Sequence, residues 1–147
     1  NRREIEAQQF FSVRKNSTTS LYPGEIVTEV EVPLSSGKTT GTRIIRRFLK
    51  YRTRKSIDFA KVSVALDSCV KDGRIDTIRI VFGGIAPVPF RIRPLEAYLT
   101  GKLLSNETME GMGRILEKHA QPLQKNRYKL AILQAYIKRI LMPENQS

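Results

Sequence analysis

An α+β domain is the fold class that this sequence predicts: an antiparallel sheet of three to four strands followed by a three-helix layer packed on one face. Three observations carry it. Alternating, β-branched stretches dominate as far as Phe82, and an Asp72-Gly73 step joins two of them. After Pro87 and Pro89 the apolar spacing changes to that of amphipathic helices. Strands first and helices second is the order of a sheet with its helices segregated to one side.

Each element has its own local reason. Residues 1–24 read as a polar connector anchored by Phe10 and Phe11, with loop composition over Lys15–Ser20 and a turn at Tyr22-Pro23-Gly24. From Glu25 the alternation of Ile26, Thr28, Val30 and Val32 against Val27, Glu29 and Glu31 predicts a half-buried strand that Pro33 ends. Ser35–Lys38 is a loop. A second extended stretch runs from about Thr39 to Tyr51, with Ile44, Arg46 and Phe48 on one face and Ile45, Arg47 and Leu49 on the other. Ile57–Lys61 predicts a bend or a short helical turn. Val62–Val70 and Ile75–Phe82 then form a hairpin across Asp72-Gly73. Pro94 opens a short helix that Gly101 stops, and Ser105–Thr108 starts a second with Met109, Met112, Ile115 and Leu116 on one face. Gln121-Pro122 breaks it. The last helix, Asn126–Met142, carries an apolar stripe of Tyr128, Ala131, Ile132, Ala135, Ile137 and Ile140.

Composition narrows the function. With 40% hydrophobic residues the 147-residue chain can build a core. The single cysteine, Cys69, excludes an internal disulfide framework and any Cys-based zinc or iron–sulfur site in this chain, and fits a reducing compartment. No apolar run approaches the ~18–20 residues that cross a bilayer, and residues 1–6 lack a secretory stretch, so a soluble cytoplasmic protein is expected. The net charge of +12 invites a nucleic-acid partner. Against that, aromatics are 7%, Trp is absent and no RNP-type string occurs. A solvated or subunit-facing basic surface is the plainer reading.

Few residues offer chemistry. His119 is the only histidine, at a predicted helix C-terminus where its charge suits the dipole, and no second ligand type clusters with it. Phe82–Pro87 is Gly-rich without being a GxGxxG or a P-loop. It reads either as backbone brought close to a flat ligand or neighbouring chain, or as a strand ending in a bulge and a Pro-directed turn. Lys50–Asp58 is the most informative stretch: Arg47, Lys50, Arg52, Arg54 and Lys55 crowd together before the single acid Asp58. Like charges at a strand end are unfavourable unless something answers them. Phosphate, an electron-rich ring or an acidic partner would do so, and so would screening by solvent.

The strings Phe48-Leu49-Lys50-Tyr51-Arg52-Thr53-Arg54-Lys55-Ser56-Ile57-Asp58-Phe59-Ala60-Lys61-Val62-Ser63-Val64-Ala65 and Arg79-Ile80-Val81-Phe82-Gly83-Gly84-Ile85-Ala86-Pro87-Val88-Pro89-Phe90-Arg91, then Glu96–Lys102 and Asn126–Lys129, with the leading part from Phe10-Phe11 to Val30, resemble one family. It is the C-terminal domain of the FAD-binding (medium) subunit of molybdenum hydroxylases, the xanthine dehydrogenase and carbon monoxide dehydrogenase group. The resemblance implies residues 1–38 as connector and last strand of a preceding FAD-binding domain, and 39–147 as the C-terminal α+β domain. The Gly-rich pyrophosphate-binding segments of the family's N-terminal portion do not occur here, so a fragment of roughly half a subunit is expected, inactive alone and without tightly held FAD. The implied function is to help enclose FAD that passes electrons from [2Fe-2S] clusters to an acceptor such as NAD or oxygen. The implied flavin contacts are Ile26 and Val27 by backbone and apolar contact, Lys50 near the ring's polar edge, and the Arg54–Asp58 loop beside ring and acceptor. Asp58 is implied either to oppose the nearby cations or to pair with Arg54. No residue of this chain is implied to be catalytic or to ligate a metal. The molybdenum cofactor and the clusters belong to partner subunits, a molybdenum subunit and an iron–sulfur subunit. The alternative is a free-standing basic module that binds nucleic acid or an acidic protein.

Overall fold

The computed structural model describes residues 2–14, 17–33, 41–54 and 57–142. The predicted loop at Ser35–Lys38, the strand start at Thr39, part of Lys15–Ser20, and Lys55 lie outside them.

The first residues hold more structure than a connector. A single helical turn α1 (Ala7–Phe10) leads into a small hairpin, β1 (Phe11–Arg14) with β2 (Ser17–Thr19). Phe10 and Phe11 meet edge to face with ring centroids 5.2 Å apart. The Tyr22-Pro23-Gly24 turn forms as predicted: Gly24 has φ +86° and Glu25 N–H donates to Tyr22 O at 3.0 Å. The strand predicted from Glu25 to Val32 does not form. The segment is extended but has no ladder among the described residues, and Ile26, Val30 and Val32 stand exposed. Alternation states which side chains suit a sheet face; a strand also needs a neighbouring strand, and no described strand offers one.

The main sheet has the order β3-β4-β5, all antiparallel, from β3 (Thr42–Tyr51), β4 (Val62–Lys71) and β5 (Arg74–Gly83). Asp72 (φ +50°) and Gly73 (φ +72°) make the two-residue turn between β4 and β5. Both φ angles are positive, which is why Asp-Gly suits it. Ile75 and Ile78 break the two-residue period yet both are buried. A bulge explains this: Cys69 faces Thr77 and Val70 faces Ile75, so Asp76 is the extra residue that resets the phase.

Among the described residues, helices cover the face that carries Ile45, Val64, Leu66, Ile78, Ile80 and Phe82 and leave the other bare. Helix α2 (Arg93–Leu99) lies against β5, and α4 (Tyr128–Leu141) lies against β3 and β4. Helix α3 (Asn106–His119) packs on α2 and α4. Their boundaries follow the sequence signals. Pro94 lies in the first turn of α2, Gly101 follows its C-cap at φ +79°, and Ser105 caps α3 by accepting from Thr108 N–H at 3.2 Å. Gly111 is pressed by the Tyr98 ring, leaving no room for a Cβ where α2 meets α3. The buried stripe of α4 is Leu133, Ile137, Ile140 and Leu141, whereas Tyr128, Ala131 and Ala135 from the predicted stripe are exposed. Leucine removes more apolar area from water than alanine, so Leu133 sets the rotation.

Both sheet edges matter. The outer edge of β5 is covered: Phe82 and Phe90 exchange N–H···O bonds of 2.8 and 2.9 Å, Ile75 N–H donates to Lys102 O, and Ile80 N–H donates to a side chain of α2. The other edge, β3, carries Arg43, Arg46, Arg47 and Lys50, the charged strand that resists edge-to-edge pairing.

Candidate functional site

The cation-rich stretch singled out from sequence is the connection between β3 and β4. Lys50 lies on the helix-free face near the end of β3, across from Ser63, which in turn faces Gly83 on β5. Its ammonium is exposed and has no hydrogen bond or ion pair with the other described residues. The connection closes on a main-chain bond from Lys61 N–H to Tyr51 O of 2.9 Å. Between these points Asp58 acts as an internal brace. Its Oδ1 accepts from Phe59 N–H at 2.9 Å and its Oδ2 accepts from Arg54 N–H at 3.4 Å. The carboxylate therefore bonds the main chain of Arg54, and no Arg54–Asp58 ion pair occurs among the described residues.

That brace turns two apolar side chains outward. Ile57 and Phe59 are 104% and 93% exposed, the two largest such values among the described bulky apolar residues. Sequence reasoning passed over both. The available signal was two bulky apolar residues at alternate positions inside a polar, cation-rich loop, too few to make a core stripe. The loop thus combines cations, one carboxylate held by main-chain donors and two bare apolar side chains. It offers positive charge to an anion and bare apolar surface to a covering group.

Gly83 and Gly84 stand behind the loop. A Cβ on Gly83 would collide with Ser63 Oγ, and one on Gly84 (φ +74°) would lie 2.6 Å from Lys61 O. The Gly-Gly step therefore makes its close approach to this chain's own residues 60–63, as a strand end and turn. Beyond it, a groove of about 340 Å³ runs between that turn and the α3–α4 connector, lined among others by Ile85, Phe90, His119, Leu123 and Lys129. His119 does end α3, as expected. Among the described residues no three His, Cys, Asp or Glu side chains group as metal ligands. No described helix is long and apolar enough to cross a membrane.

Ile26 and Val27 are on the first 33 residues, 80% and 52% exposed. No described hydrogen bond or ion pair connects them with Lys50, Arg54 or Asp58. Their neighbour Glu25 is fixed to the start of the chain: Arg3 Nε donates to its Oε1 at 2.7 Å and Tyr22 N–H to its Oε2 at 2.8 Å. The Arg3 guanidinium, which also lies over the Tyr22 ring, brings this carboxyl down from its ordinary 4.5 to about 2. The depressed value means the contact holds at neutral pH and is lost as pH falls from about 4.5 towards 2. Arg3→Gln is expected to return the Glu25 midpoint towards 4.5 in a carboxyl-carbon NMR titration. A midpoint left near 2 would place the cause elsewhere.

Comparison with known proteins agrees with this architecture. The sequence profile of the CO dehydrogenase flavoprotein C-terminal domain matches residues 47–143. The glyceraldehyde dehydrogenase medium chain of Sulfolobus acidocaldarius is 31% identical over 121 residues, 82% of this chain and 40% of that protein. A xanthine dehydrogenase of Emericella nidulans is 35% identical over 117 residues, 78% of this chain and 8% of that protein. Among solved structures, a chain of carbon monoxide dehydrogenase from Hydrogenophaga pseudoflava superposes with a TM-score of 0.59 at 26% identity, covering 71% of this chain and 37% of that one. The chain thus spans well under half the length of these relatives. With its antiparallel three-stranded sheet, one-sided helices and matched strings from β3 to α4, the chain belongs to the CO dehydrogenase flavoprotein C-terminal domain family.

Proposed function

We propose that this chain works as the C-terminal domain of a molybdenum-hydroxylase flavin subunit and helps to enclose FAD. The observation that carries the reading is the β3–β4 loop. Ile57 and Phe59 stand bare in the same connection as exposed Arg54, with exposed Lys50 near the end of the strand that leads into it, in the segment where the family match begins. Large exposed apolar side chains are unfavourable in water and mark a surface meant to be covered. A flavin fits that chemistry, having an apolar ring system with a polar, electron-accepting edge. When bound, it supplies electron transfer between a donor and an acceptor such as NAD or oxygen.

The residues of this chain have definable tasks around that ring. Lys50 places positive charge where the reduced ring carries more negative charge, which favours reduction. Asp58 keeps the loop in shape through the Phe59 and Arg54 N–H groups and leaves the Arg54 guanidinium available to an anion. Ile57 and Phe59 exclude water from the ring. Ile26 and Val27 would also line it, within residues 1–38 as connector and last strand of a preceding FAD-binding domain. Residues 39–147 would form the C-terminal domain proper. The exposed, alternating Glu25–Val32 segment supports that division, because such a segment is completed by joining a sheet. Partner subunits would hold the molybdenum cofactor and the [2Fe-2S] clusters. The reading places the complex in the cytoplasm, in keeping with a single, unpaired cysteine.

The test is made in the longer subunit. Co-expression with the preceding segment is expected to yield yellow protein with about one flavin per chain. Lys50→Ala should then lower the two-electron potential by about 30 mV, equivalent to about 1.4 kcal/mol, with folding unchanged. An unaltered potential removes Lys50 from the site. A colourless protein that instead shifts labelled RNA with steep salt dependence overturns the whole reading.

A further inference from the structure

The loop that carries Asp58 and Phe59 is braced from outside itself, by a helix. We infer that Lys129 and Gly84 are positioning residues for this loop, acting through the Ala60–Lys61 main chain. The inference deepens the flavin-subunit reading and rests on it for its functional meaning, while its geometry stands alone.

The first link is Gly84. At φ +74° it occupies the left-handed region, and a Cβ there would lie 2.6 Å from Lys61 O, 3.0 Å from Lys61 C and 3.1 Å from Ala60 O. All three are main-chain atoms and cannot swing aside. Gly84 is therefore seated against the two carbonyls that flank Lys61, the residue whose N–H closes the loop onto Tyr51 O. The second link is Lys129, whose Nζ donates to Gly84 O at 2.7 Å. Lys129 is the second residue of α4, and no acidic residue occupies that first turn. A cation at this helix end opposes the macrodipole, so helix stability alone does not account for it. A residue that breaks a local preference marks a role elsewhere, and here the bond to Gly84 supplies one. The third link is rigidity. Leu133, one turn further along α4, is fully buried, so the base of the lysine is fixed to the core. The series Lys129, Gly84, Lys61 connects the core helix to the root of the loop that presents Phe59.

The test needs no flavin. In this chain, Lys129→Met keeps the aliphatic stem and removes the donor, and Lys129→Arg keeps a donor. Amide hydrogen exchange at Phe59 and Lys61 is expected to rise roughly two- to tenfold in Lys129→Met, the range set by one lost hydrogen bond. Lys129→Arg should restore the original rate, and core amides such as Val64 should not change. Gly84→Ala should produce a larger rise at the same amides. Should that variant not fold, the lysine pair still decides. Unchanged exchange at Phe59 and Lys61 in Lys129→Met overturns the inference, as does a rise that Val64 shares equally. In the flavin-containing subunit, Lys129→Met is expected to shift the flavin potential. Faster loop exchange with an unmoved potential would keep the positioning role and overturn only the flavin-facing assignment of the loop.

Discussion

Glu96→Ala is expected to destabilise the protein by about 3–5 kcal/mol, the range seen when one partner of a buried ion pair is removed. Glu96 is only 7% exposed, on the side of α2 that faces β5. Its Oε1 accepts from Ile80 N–H at 2.8 Å and from Arg91 Nε at 3.0 Å, and its Oε2 accepts from Arg91 Nη2 at 2.7 Å. Because β5 is an edge strand, the Ile80 N–H points away from β4 and has no strand to receive it. Removing the carboxylate leaves that buried donor and a partly buried guanidinium without partners. A domain stable by ~5–15 kcal/mol loses a large share of that margin. Urea unfolding midpoints measure it. Pairing Glu96→Leu with Arg91→Leu should recover part of the loss, since no charge is then stranded. A single-variant loss under about 1 kcal/mol would mean that water replaces the carboxylate, and that this edge is wetter than the buried geometry implies.

How much of this was readable beforehand depends on whether the cause is local. The Asp72-Gly73 turn, the Ser105 cap and the Pro94 and Gly101 boundaries are properties of a few adjacent residues, and sequence reasoning located all of them. The Asp76 bulge was hidden because it depends on which residue of β4 each residue of β5 meets. Glu25–Val32 shows the same limit more severely, since its alternation is unmistakable and its ladder is missing from the described residues. In α4 the predicted stripe took in Ala131 and Ala135 and left out Leu133 and Leu141, and the packing buries both leucines and exposes both alanines. The cations of the site and the oddity of Gly83-Gly84 were legible. The outward display of Ile57 and Phe59 was not, because an Asp58 brace to main-chain donors decides it, and hydropathy would assign both residues to the interior.

Phe82→Ala is expected to cost about 3–5 kcal/mol, the loss of transfer energy plus the cavity that a rigid core leaves. The ring is fully buried, opposite Val64 on β4, and its backbone is bridged to Phe90. For a chain of this size a loss of ~3 kcal/mol lowers Tm by about 6–12 °C. Phe48→Ala is the matched control. It removes the same ring from the opposite face of the same sheet, where Phe48 is 63% exposed, and it should change stability by no more than about 0.5 kcal/mol. The contrast isolates the layered design: helices bury one face, and the face carrying Lys50 and Phe48 stays open in the isolated chain. Phe82 immediately precedes Gly83-Gly84, so its cavity opens beside the turn that seats the Ala60–Lys61 main chain. Faster exchange of the Lys61 amide, beyond that of β5 itself, would show that core packing at this end of the sheet also sets the loop. Equal losses from Phe48→Ala and Phe82→Ala would mean instead that the open face is covered in solution, and the one-sided architecture would need revision.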